Sequence, residues 1–368
     1  MDLNVSTVSF KGYDARPLKR LVCRDAGIGE PFYQAVNQVA RIGTQNDFDV
    51  FVQTPEQLVN KDYNALKSEK KFPNALYFPW TQDSVTFTPK NTMAANCLLA
   101  EYNQILAEKF KVPYLQTLHH VQGGNFFFIK ERNKNALLIG RDELKYYSAE
   151  TIKKDFGIER IYPVSQPDFH IDLGIRPLNN RTVLVNDPNI TLKGIDKGIR
   201  NADNILEQEF DAELLQVRKK LNAIKKCFIK AMSDSKEYGN FNNIQRELKL
   251  YGFKPVMVPG SIIRTTGAKD INNESHYIMN FLNAIVHERA DDHSLIYITN
   301  DSLIDEFVGI TPEIEQRINF SFKKEFTEKV GRYIEPENIH FIQADFTAPL
   351  LEYAQGGIHC VFAEQANI

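Results

Sequence analysis

The chain has 368 residues, and its hydrophobic and charged fractions, 43% and 25%, are those of a folded globular protein. Lys and Arg total 44 against 47 Asp and Glu, a net charge of −3, so the basic excess of a dedicated nucleic-acid binder is missing. The sequence has no apolar run long enough to span a bilayer and no signal-peptide pattern at its start. It therefore predicts a cytoplasmic protein without nucleic-acid or membrane partners, and leaves open export by a route that needs no signal.

Short β-rich runs and amphipathic segments alternate along the chain, which is typical of an α/β architecture. Apolar spacing predicts a helix over 92–110. Strands are predicted at 125–129, 136–139, 182–185, 255–258, 295–299 and 339–342. Neither of the glycine-rich phosphate-binding motifs, GxGxxG and GxxxxGK[ST], occurs, so nucleotide binding by those routes has no support.

Residues 201–232 have a composition of their own. Their apolar residues recur every three or four positions, and lysines and arginines occupy the opposite face. This pattern predicts one continuous helix of roughly 45 Å. The simpler interpretation packs the helix against the domain, and the alternative uses it to dock a protein partner. We expect a single domain over 1–368 with a helical insertion at 195–250, and the sequence does not indicate an oligomeric state.

The four cysteines are too few and too scattered for a disulfide framework or a cysteine-based zinc site. No metal or cofactor is predicted. Three of the cysteines, Cys23, Cys97 and Cys227, are interpreted as structural. The fourth, Cys360, follows two glycines and a histidine in Gln355-Gly356-Gly357-Ile358-His359-Cys360. A thiol in such a turn is either a nucleophile or a buried residue that begins a final strand.

Three further motifs precede Cys360. His170 and Asp172 form an HxD pair, and on an extended segment both side chains would point to the same face. Trp80-Thr81-Gln82-Asp83 holds the only tryptophan, and Gln122-Gly123-Gly124-Asn125 leads into a predicted strand.

The order of these motifs resembles that of the pentein superfamily of guanidino-group-modifying enzymes, over about Trp80 to Cys360. The similarity is greatest to agmatine deiminases and bacterial protein-arginine deiminases. It implies an α/β propeller of five ββαβ units around a pseudo-fivefold axis, to which the long helical segment is added. It also implies that Cys360 is the nucleophile and His170 the acid and base. The implied substrate-binding residues are Asp83, Asp172, Asn125, Trp80, Gln82, Gly124 and Asn280.

The residue types suit this chemistry independently of the resemblance. A guanidinium is a planar cation that carboxylates can hold through paired hydrogen bonds, and Asp83 and Asp172 are available. A thiolate can attack its central carbon, and a histidine can protonate the leaving amine and then activate water. Two positions depart from the family pattern, because Gln82 stands where many members have Arg and Gln122 where many have Glu.

The sequence leaves several functions open. The leading hypothesis is a deiminase that turns a guanidine, free or within a protein, into a ureido group and releases ammonia. An amidinotransferase would use the same site with an amine instead of water. A cysteine protease or acyltransferase would use only Cys360 and His170, and a non-catalytic protein would merely bind a cationic ligand. Arg176 and Arg264 are candidates to bind the α-carboxylate of free arginine.

Overall fold

A computed structural model describes most of the chain, in twelve segments. The described residues are 17–24, 30–53, 58–60, 81–95, 100–117, 122–131, 134–167, 170–179, 181–234, 236–260, 280–342 and 357–367. Their sixteen strands form five separate sheets, one of four strands and four of three.

The strands follow the β-rich runs of the sequence. In chain order they are β1 Leu18–Arg24, β2 Asp49–Gln53, β3 Leu58–Asn60, β4 Val85–Phe87, β5 Met93–Ala95, β6 Tyr114–Gln116, β7 Phe126–Glu131, β8 Lys134–Gly140, β9 Arg160–Val164, β10 Ile175–Pro177, β11 Thr182–Asn186, β12 Lys254–Val258, β13 Ile285–Glu288, β14 Leu295–Asn300, β15 Ile339–Ile342 and β16 Ala363–Ala366. All six predicted strands are confirmed. The middle strands β11 and β14 are buried along their whole length, which explains their nearly continuous apolar sequence.

The helices fill the connections between strands. They are α1 Glu30–Gln45, α2 Thr81–Ser84, α3 Ala100–Phe110, α4 Ala149–Phe156, α5 Pro188–Leu206, α6 Ala212–Asp234, α7 Lys236–Leu250, α8 Leu303–Val308, α9 Pro312–Ile318, α10 Phe322–Val330 and α11 Ile358–Val361. Short 3-10 turns lie at Gly123–Asn125, Arg141–Lys145, Ile171–Leu173 and Pro336–Asn338.

One pairing pattern recurs in all five sheets. In the three-stranded sheets the middle strand pairs antiparallel with the strand before it and parallel with the strand after it, as in β7-β8-β9 and β10-β11-β12. In the four-stranded sheet, β1 pairs in the same way with β16 and β2. A parallel neighbour needs a crossover, and helices supply it: α1, α3 and α4 in three sheets, α5–α7 and α8–α10 in the other two. In the four-stranded sheet, β16 pairs with β1 and so joins the two ends of the described chain.

The prediction of one helix over 201–232 is wrong. The chain leaves α5 after Leu206 and starts α6 at Ala212, because the side chain of Asp211 accepts the N–H of Leu214 at 2.9 Å and caps the new helix. Arg317 holds this turn through ion pairs to Glu209 and Asp211. Phe210, one of the regularly spaced apolar residues on which that prediction was based, is 87% exposed.

The other regularly spaced apolar residues of this segment face the protein interior. Apolar side chains of α5 and α6 pack in one buried cluster with β13, β14 and α8–α10; the α6 members are Leu214, Val217, Leu221 and Phe228. The simpler interpretation of this segment is therefore correct for its apolar face. Docking of a partner stays a prediction, and only the charged face of α6 is open to it.

The predicted helix at 92–110 begins later than expected. Met93, which fitted its apolar spacing, lies in β5, and the helix itself is Ala100–Phe110. A methionine on a buried strand and one on a helix face look alike in a periodicity count, so the spacing could not separate them. In the part of the chain that the structure describes, no helix is both long and apolar enough to cross a membrane.

The packing of α6 predicts different effects for two aliphatic residues of that helix. Leu221→Ala removes a side chain that is 0% exposed, and we expect the free energy of unfolding to fall by about 2–5 kcal/mol. Ile229→Ala is the matched control, since Ile229 is 49% exposed, and its effect should stay within about 0.5 kcal/mol. Urea denaturation measures both, and equal losses would contradict the packing described here.

Candidate active site

The candidate residues converge because they occupy equivalent places in different sheets. Each lies just before the first strand of its sheet: Asp83 before β4, the Gly123–Asn125 turn before β7, His170 and Asp172 before β10, and Cys360 before β16. Helices α2 and α11 contact each other and the Gly123–Asn125 turn, which in turn contacts the Ile171–Leu173 turn. These contacts bring the starts of the strands together. The structure thus gathers residues that are far apart in sequence into one buried site.

The Cys360 thiol is buried among acidic and amide groups. Its Sγ lies 3.7 Å from Asp172 Oδ2, to which it donates, and accepts a hydrogen bond from Asn283 Nδ2 at 3.2 Å. Burial raises the pKa of the thiol well above its usual value, and the carboxylates of Asp172 and Asp83 add to this. The thiol is therefore protonated at neutral pH as long as nothing positive lies beside it.

His170 and Asp172 are neighbours in space, as predicted, but for a different reason. Only His170 is extended; Asp172 lies in the 3-10 turn Ile171–Leu173, and the distance from His170 Nδ1 to Asp172 Oδ1 is 3.9 Å. Asp172 Oδ2 accepts hydrogen bonds from Asn283 and His359, both at 2.8 Å. Its Oδ1 is buried and has no hydrogen-bond partner among the described residues, so it can accept a donor from a ligand.

The Gly123–Asn125 turn supports both Asp83 and His170. The backbone N–H groups of Gly123 and Gly124 donate to the Asp83 carboxylate. A Cβ on Gly124 would lie 2.2 Å from His170 Nδ1, so only glycine lets the imidazole pack this closely. Asn125 is buried, and its amide oxygen accepts the N–H of Ile171 at 3.1 Å, which ties the turn to the residue after His170.

Gln122 contacts His170, which the sequence did not indicate. Gln122 Oε1 lies 2.5 Å from His170 Nε2. Because a carbonyl oxygen only accepts, this contact places a proton on Nε2 and leaves Nδ1, the nitrogen near Asp172, for exchange with a substrate. The departure from Glu at this position therefore keeps the hydrogen bond and removes a charge.

Asp83 and Glu143 have a raised pKa. Burial raises the pKa of Asp83; the charge of His170 opposes this, and that of Asp172 adds to it. Burial also raises the pKa of Glu143 to about 7, although Asn125 donates to it at 2.7 Å. A site with this much buried acidity favours a positively charged ligand.

His359 belongs to a buried charge network that the sequence did not reveal. Its Nδ1 lies 2.8 Å from Asp172 Oδ2 and its Nε2 lies 3.4 Å from Glu364 Oε1. Arg176 pairs with Glu364 at 3.0 Å, and its role with a substrate carboxylate stays a prediction. Gln82 reaches the same imidazole, with its Nε2 at 3.0 Å from both ring nitrogens.

Electrostatics within this network favour a charged His359. Burial and Arg176 disfavour the imidazolium, but Asp172 and Glu364 outweigh them, so the pKa of His359 is raised. Burial likewise opposes ionisation of Glu364, yet Arg176 and His359 lower its pKa to about 2.

Asn283 is a site residue that sequence analysis missed. Besides donating to Cys360 and Asp172, it accepts the N–H of His359 at 2.9 Å through its Oδ1. Asn280, the asparagine predicted for the site, instead accepts the N–H of Asn283 at 3.1 Å and shapes the turn. Its position could have indicated a role in the site. Asn283 lies just before β13, the first strand of its sheet, and the site residues of the other sheets also lie just before a first strand.

Some predicted residues lie outside the described part of the chain. They are Trp80, Cys97 and Arg264. The substrate-contacting roles of Trp80, Gln82, Asn125 and Asn280 stay predictions.

His170, Asp172 and Cys360 could together hold a metal ion, since one donor atom from each lies within 4.8 Å of the others. Nitrogen, oxygen and sulfur donors of this kind suit Zn²⁺. Asp172 Oδ2 is already engaged by Asn283 and His359, and the same three groups also suit thiol chemistry.

Solved structures share this fold. Agmatine deiminase from C. jejuni matches with a TM-score of 0.55 and 14% identity, over 97% of this chain and 96% of that chain. A putative arginine deiminase from Porphyromonas gingivalis matches with a TM-score of 0.53 and 13% identity, over 97% of this chain and 99% of that one. No protein-family profile and no curated protein matches the sequence. At this level of identity the likeness shows a shared fold, and it agrees with the fold that the sequence resemblance implied.

The raised pKa of the thiol predicts how its reactivity responds to a neighbouring charge. Asp83→Asn removes a carboxylate that raises the pKa of Cys360, so alkylation of Cys360 by iodoacetamide at pH 7.5 should become about tenfold faster. Asp142→Asn is the control, because Asp142 is an exposed acid paired with Lys145. Peptide mass spectrometry gives the rate, and an unchanged rate in Asp83→Asn would show that this carboxylate does not act on the thiol.

Proposed function

We propose that this chain is a hydrolase that deiminates a guanidino group, producing a ureido group and ammonia. One observation carries the proposal: the Cys360 thiol and the carboxylates of Asp83 and Asp172 share one buried site with His170. A thiol in this setting is inert until a cation arrives, and a guanidinium supplies both that cation and the electrophilic carbon. The names of the two structural neighbours, an agmatine deiminase and a putative arginine deiminase, support this choice of substrate class.

In the proposed complex, the guanidinium lies between Asp83 and Asp172. Asp172 Oδ1 is available to accept one of its N–H groups, while Oδ2 stays bound to Asn283 and His359. Asp83, which the backbone N–H groups of Gly123 and Gly124 hold in place, accepts other N–H groups of the guanidinium. Charge-assisted bonds in a site without bulk water fix the plane of the cation and place its carbon next to Sγ.

Binding of the cation also activates the nucleophile. Burial and the two carboxylates raise the pKa of Cys360 in the empty site, and a positive charge beside Sγ acts in the opposite direction. The thiolate therefore forms mainly in the complex. This arrangement limits side reactions of the thiol, because the reactive form exists only when the substrate is present.

The reaction then follows in two halves. As the cation binds, the S–H bond of Cys360 breaks and its proton passes to His170, a donor atom of which lies within 4.8 Å of Sγ. Sγ attacks the guanidinium carbon and forms the C–S bond; His170 gives the proton to the leaving nitrogen, the C–N bond breaks, and ammonia departs. Cys360 is left as a thiouronium. His170 next takes a proton from water, the hydroxide adds to the same carbon, and the C–S bond breaks to release the ureido product and the thiolate.

We also propose that the five sheets surround a pseudo-fivefold axis, with the site in its central channel. The repeated strand–strand–helix–strand order and the pairing of β16 with β1 support a closed ring. The site residues of all five sheets, Asn283 included, precede their first strands, which then sit at one end of that channel. The long segment α5–α7 is an enlarged crossover in this arrangement.

The covalent intermediate gives the direct test of the proposed activity. Incubation with agmatine, arginine or an arginine peptide should yield ammonia and a ureido product with one of them, and Cys360→Ala should lower kcat by about 10⁴-fold or more. A Cys360 adduct carrying the guanidine-derived carbon should accumulate in His170→Asn and be visible by mass spectrometry. Cys227→Ala, at a partly exposed cysteine far from these contacts, is the control and should keep wild-type activity.

Other outcomes of that assay select other functions. Product that forms only when an amine acceptor is added, without ammonia release, would identify an amidinotransferase. Binding without turnover, unchanged in Cys360→Ala, would identify a binding protein.

Activation of the thiol by substrate also predicts the pH dependence. The ascending limb of kcat/KM reports the free enzyme, where the thiol pKa is raised, and that of kcat reports the complex, where the cation lowers it. We expect the kcat limb to lie about one pH unit or more below the kcat/KM limb. Rates measured from pH 6 to 10 decide this, and coincident limbs would mean that the substrate does not change the ionisation of Cys360.

A further inference from the structure

Helix α7 packs against the segment of chain that carries His170 and Asp172. The helix belongs to the crossover between β11 and β12, yet it also contacts β9, the last strand of the preceding sheet. After β9 ends at Val164, the chain passes through the two site residues and enters β10. One face of α7 therefore lies along the connection from which the His170 and Asp172 side chains project.

Polar groups of α7 hold the chain before His170. The Glu247 carboxylate accepts the N–H of Ser165 at 2.7 Å through Oε2 and the Ser165 hydroxyl at 3.0 Å through Oε1. Two turns earlier on the same helix face, Asn240 Nδ2 donates to the backbone carbonyl of Gln166 at 2.7 Å. The Glu247 side chain is only 13% exposed, so its hydrogen bonds to Ser165 face little competition from water.

Apolar side chains on the same face of α7 hold the chain after His170. The turn residues Ile171 and Leu173 belong to a buried cluster to which α7 contributes three side chains, Phe241, Ile244 and Leu248. At Gly174 an added Cβ would lie 3.2 Å from the Phe241 ring, so the backbone there passes close to the helix. Helix α7 thus contacts the segment on both sides of His170.

Gln166 extends these contacts into the site itself. Its backbone carbonyl accepts the hydrogen bond from Asn240, while its side chain donates to Asn125 Oδ1 at 3.1 Å. The same Asn125 oxygen accepts the N–H of Ile171, also at 3.1 Å. Contacts therefore run without a break from α7 through Gln166 and Asn125 to the residue that follows His170.

We propose that α7 sets the position of the His170 imidazole, and that Asn240 and Glu247 are positioning residues for its proton transfers. The inference rests on the proposed function, in which His170 takes the thiol proton, protonates the leaving nitrogen and activates water. Each of these transfers needs the imidazole at hydrogen-bonding distance from its partner, so a small displacement of the backbone slows all of them.

The two site residues of this segment depend on α7 to different degrees. Asp172 has anchors of its own, since its Oδ2 accepts hydrogen bonds from Asn283 and His359. The backbone of His170 lies between the two parts of the segment that α7 holds. Loss of the α7 contacts therefore displaces His170 more than Asp172, and impairs proton transfer more than binding of the cation.

The test uses whichever of agmatine, arginine and an arginine peptide the wild type deiminates. Glu247→Ala deletes both acceptors of Ser165, and kcat should fall about tenfold or more while KM changes by less than about twofold. Glu247→Gln keeps an amide oxygen that can accept the N–H of Ser165, and it should restore kcat to within about threefold of the wild type. A wild-type kcat in Glu247→Ala, or a loss that appears only in KM, would overturn the proposal.

Two control variants separate positioning from charge and from stability. Arg141→Ala removes the ion pair to Glu247 Oε1 at 2.6 Å but leaves the hydrogen bonds to Ser165, and the Arg141 side chain is 53% exposed. Leu221→Ala destabilises a different buried cluster, which contains neither Ile171 nor Leu173. Both controls, assayed where they are folded, should keep the wild-type kcat, and a tenfold loss in either would contradict the assignment.

A second variant keeps the test decisive if Glu247→Ala does not fold. Asn240→Ala removes only the hydrogen bond to the Gln166 carbonyl, and kcat should fall about threefold or more at an unchanged KM. A folded Asn240→Ala protein with wild-type kcat would then count against the role of α7.

Hydrogen exchange separates this proposal from the proposed function. Amide exchange in the 165–174 peptide, followed by mass spectrometry, should become about tenfold faster in Glu247→Ala and stay unchanged in Arg141→Ala. Unchanged exchange in Glu247→Ala would overturn the role of α7, whether or not the wild type is active. Wild-type protein that deiminates none of the three guanidines would refute the function and the catalytic use of this positioning, whereas turnover with a normal kcat in Glu247→Ala would refute only the role of α7.

Discussion

The whole site depends on one buried carboxylate. Asp172 is 0% exposed, and a charge removed from water in this way is tolerated only where hydrogen bonds and opposite charges replace its hydration. Asn283, His359 and the Cys360 thiol all direct a donor to its Oδ2. The other oxygen lacks a hydrogen-bond partner among the described residues, so its lost hydration is only partly replaced in the absence of a ligand. The unfavourable burial of Asp172 is thus converted into affinity for a cation.

The backbone around this carboxylate is built for close approach. Gly124 lies against His170, and Gly357 lies so close to Asn283 and Asn300 that a Cβ there would come within 2.7 Å and 2.5 Å of their side-chain atoms. These two glycines precede β7 and β16, and they let side chains from different sheets meet at one point. A site assembled from strand starts is rigid, because each residue is fixed by its own sheet rather than by a free loop.

Local structure could be predicted from the sequence, and long-range contacts could not. β8 and β11 were predicted because buried strands carry continuous apolar runs. Cys360 was predicted to be the nucleophile because few chemical roles suit a cysteine after Gly356-Gly357 and beside a histidine. Asn283 and His359 were missed because their importance comes from contacts with Asp172, 111 and 187 residues away. Phe210 misled the helix prediction, since spacing alone cannot tell an exposed phenylalanine in a turn from a buried one.

The charge around the thiol also separates the candidate chemistries. A cysteine acyltransferase or protease acts on a neutral carbonyl and needs its thiolate before the substrate binds, so it surrounds the thiol with positive charge. Here burial and two carboxylates raise the pKa of Cys360, and the raised pKa of His359 reflects Asp172 and Glu364 rather than a direct pair with sulfur. A neutral substrate would bring nothing to reverse this. In the proposed function, a cationic substrate would satisfy Asp83 and Asp172 and form the nucleophile in the same event. The acidity of the site would then select the substrate in binding and again in activation.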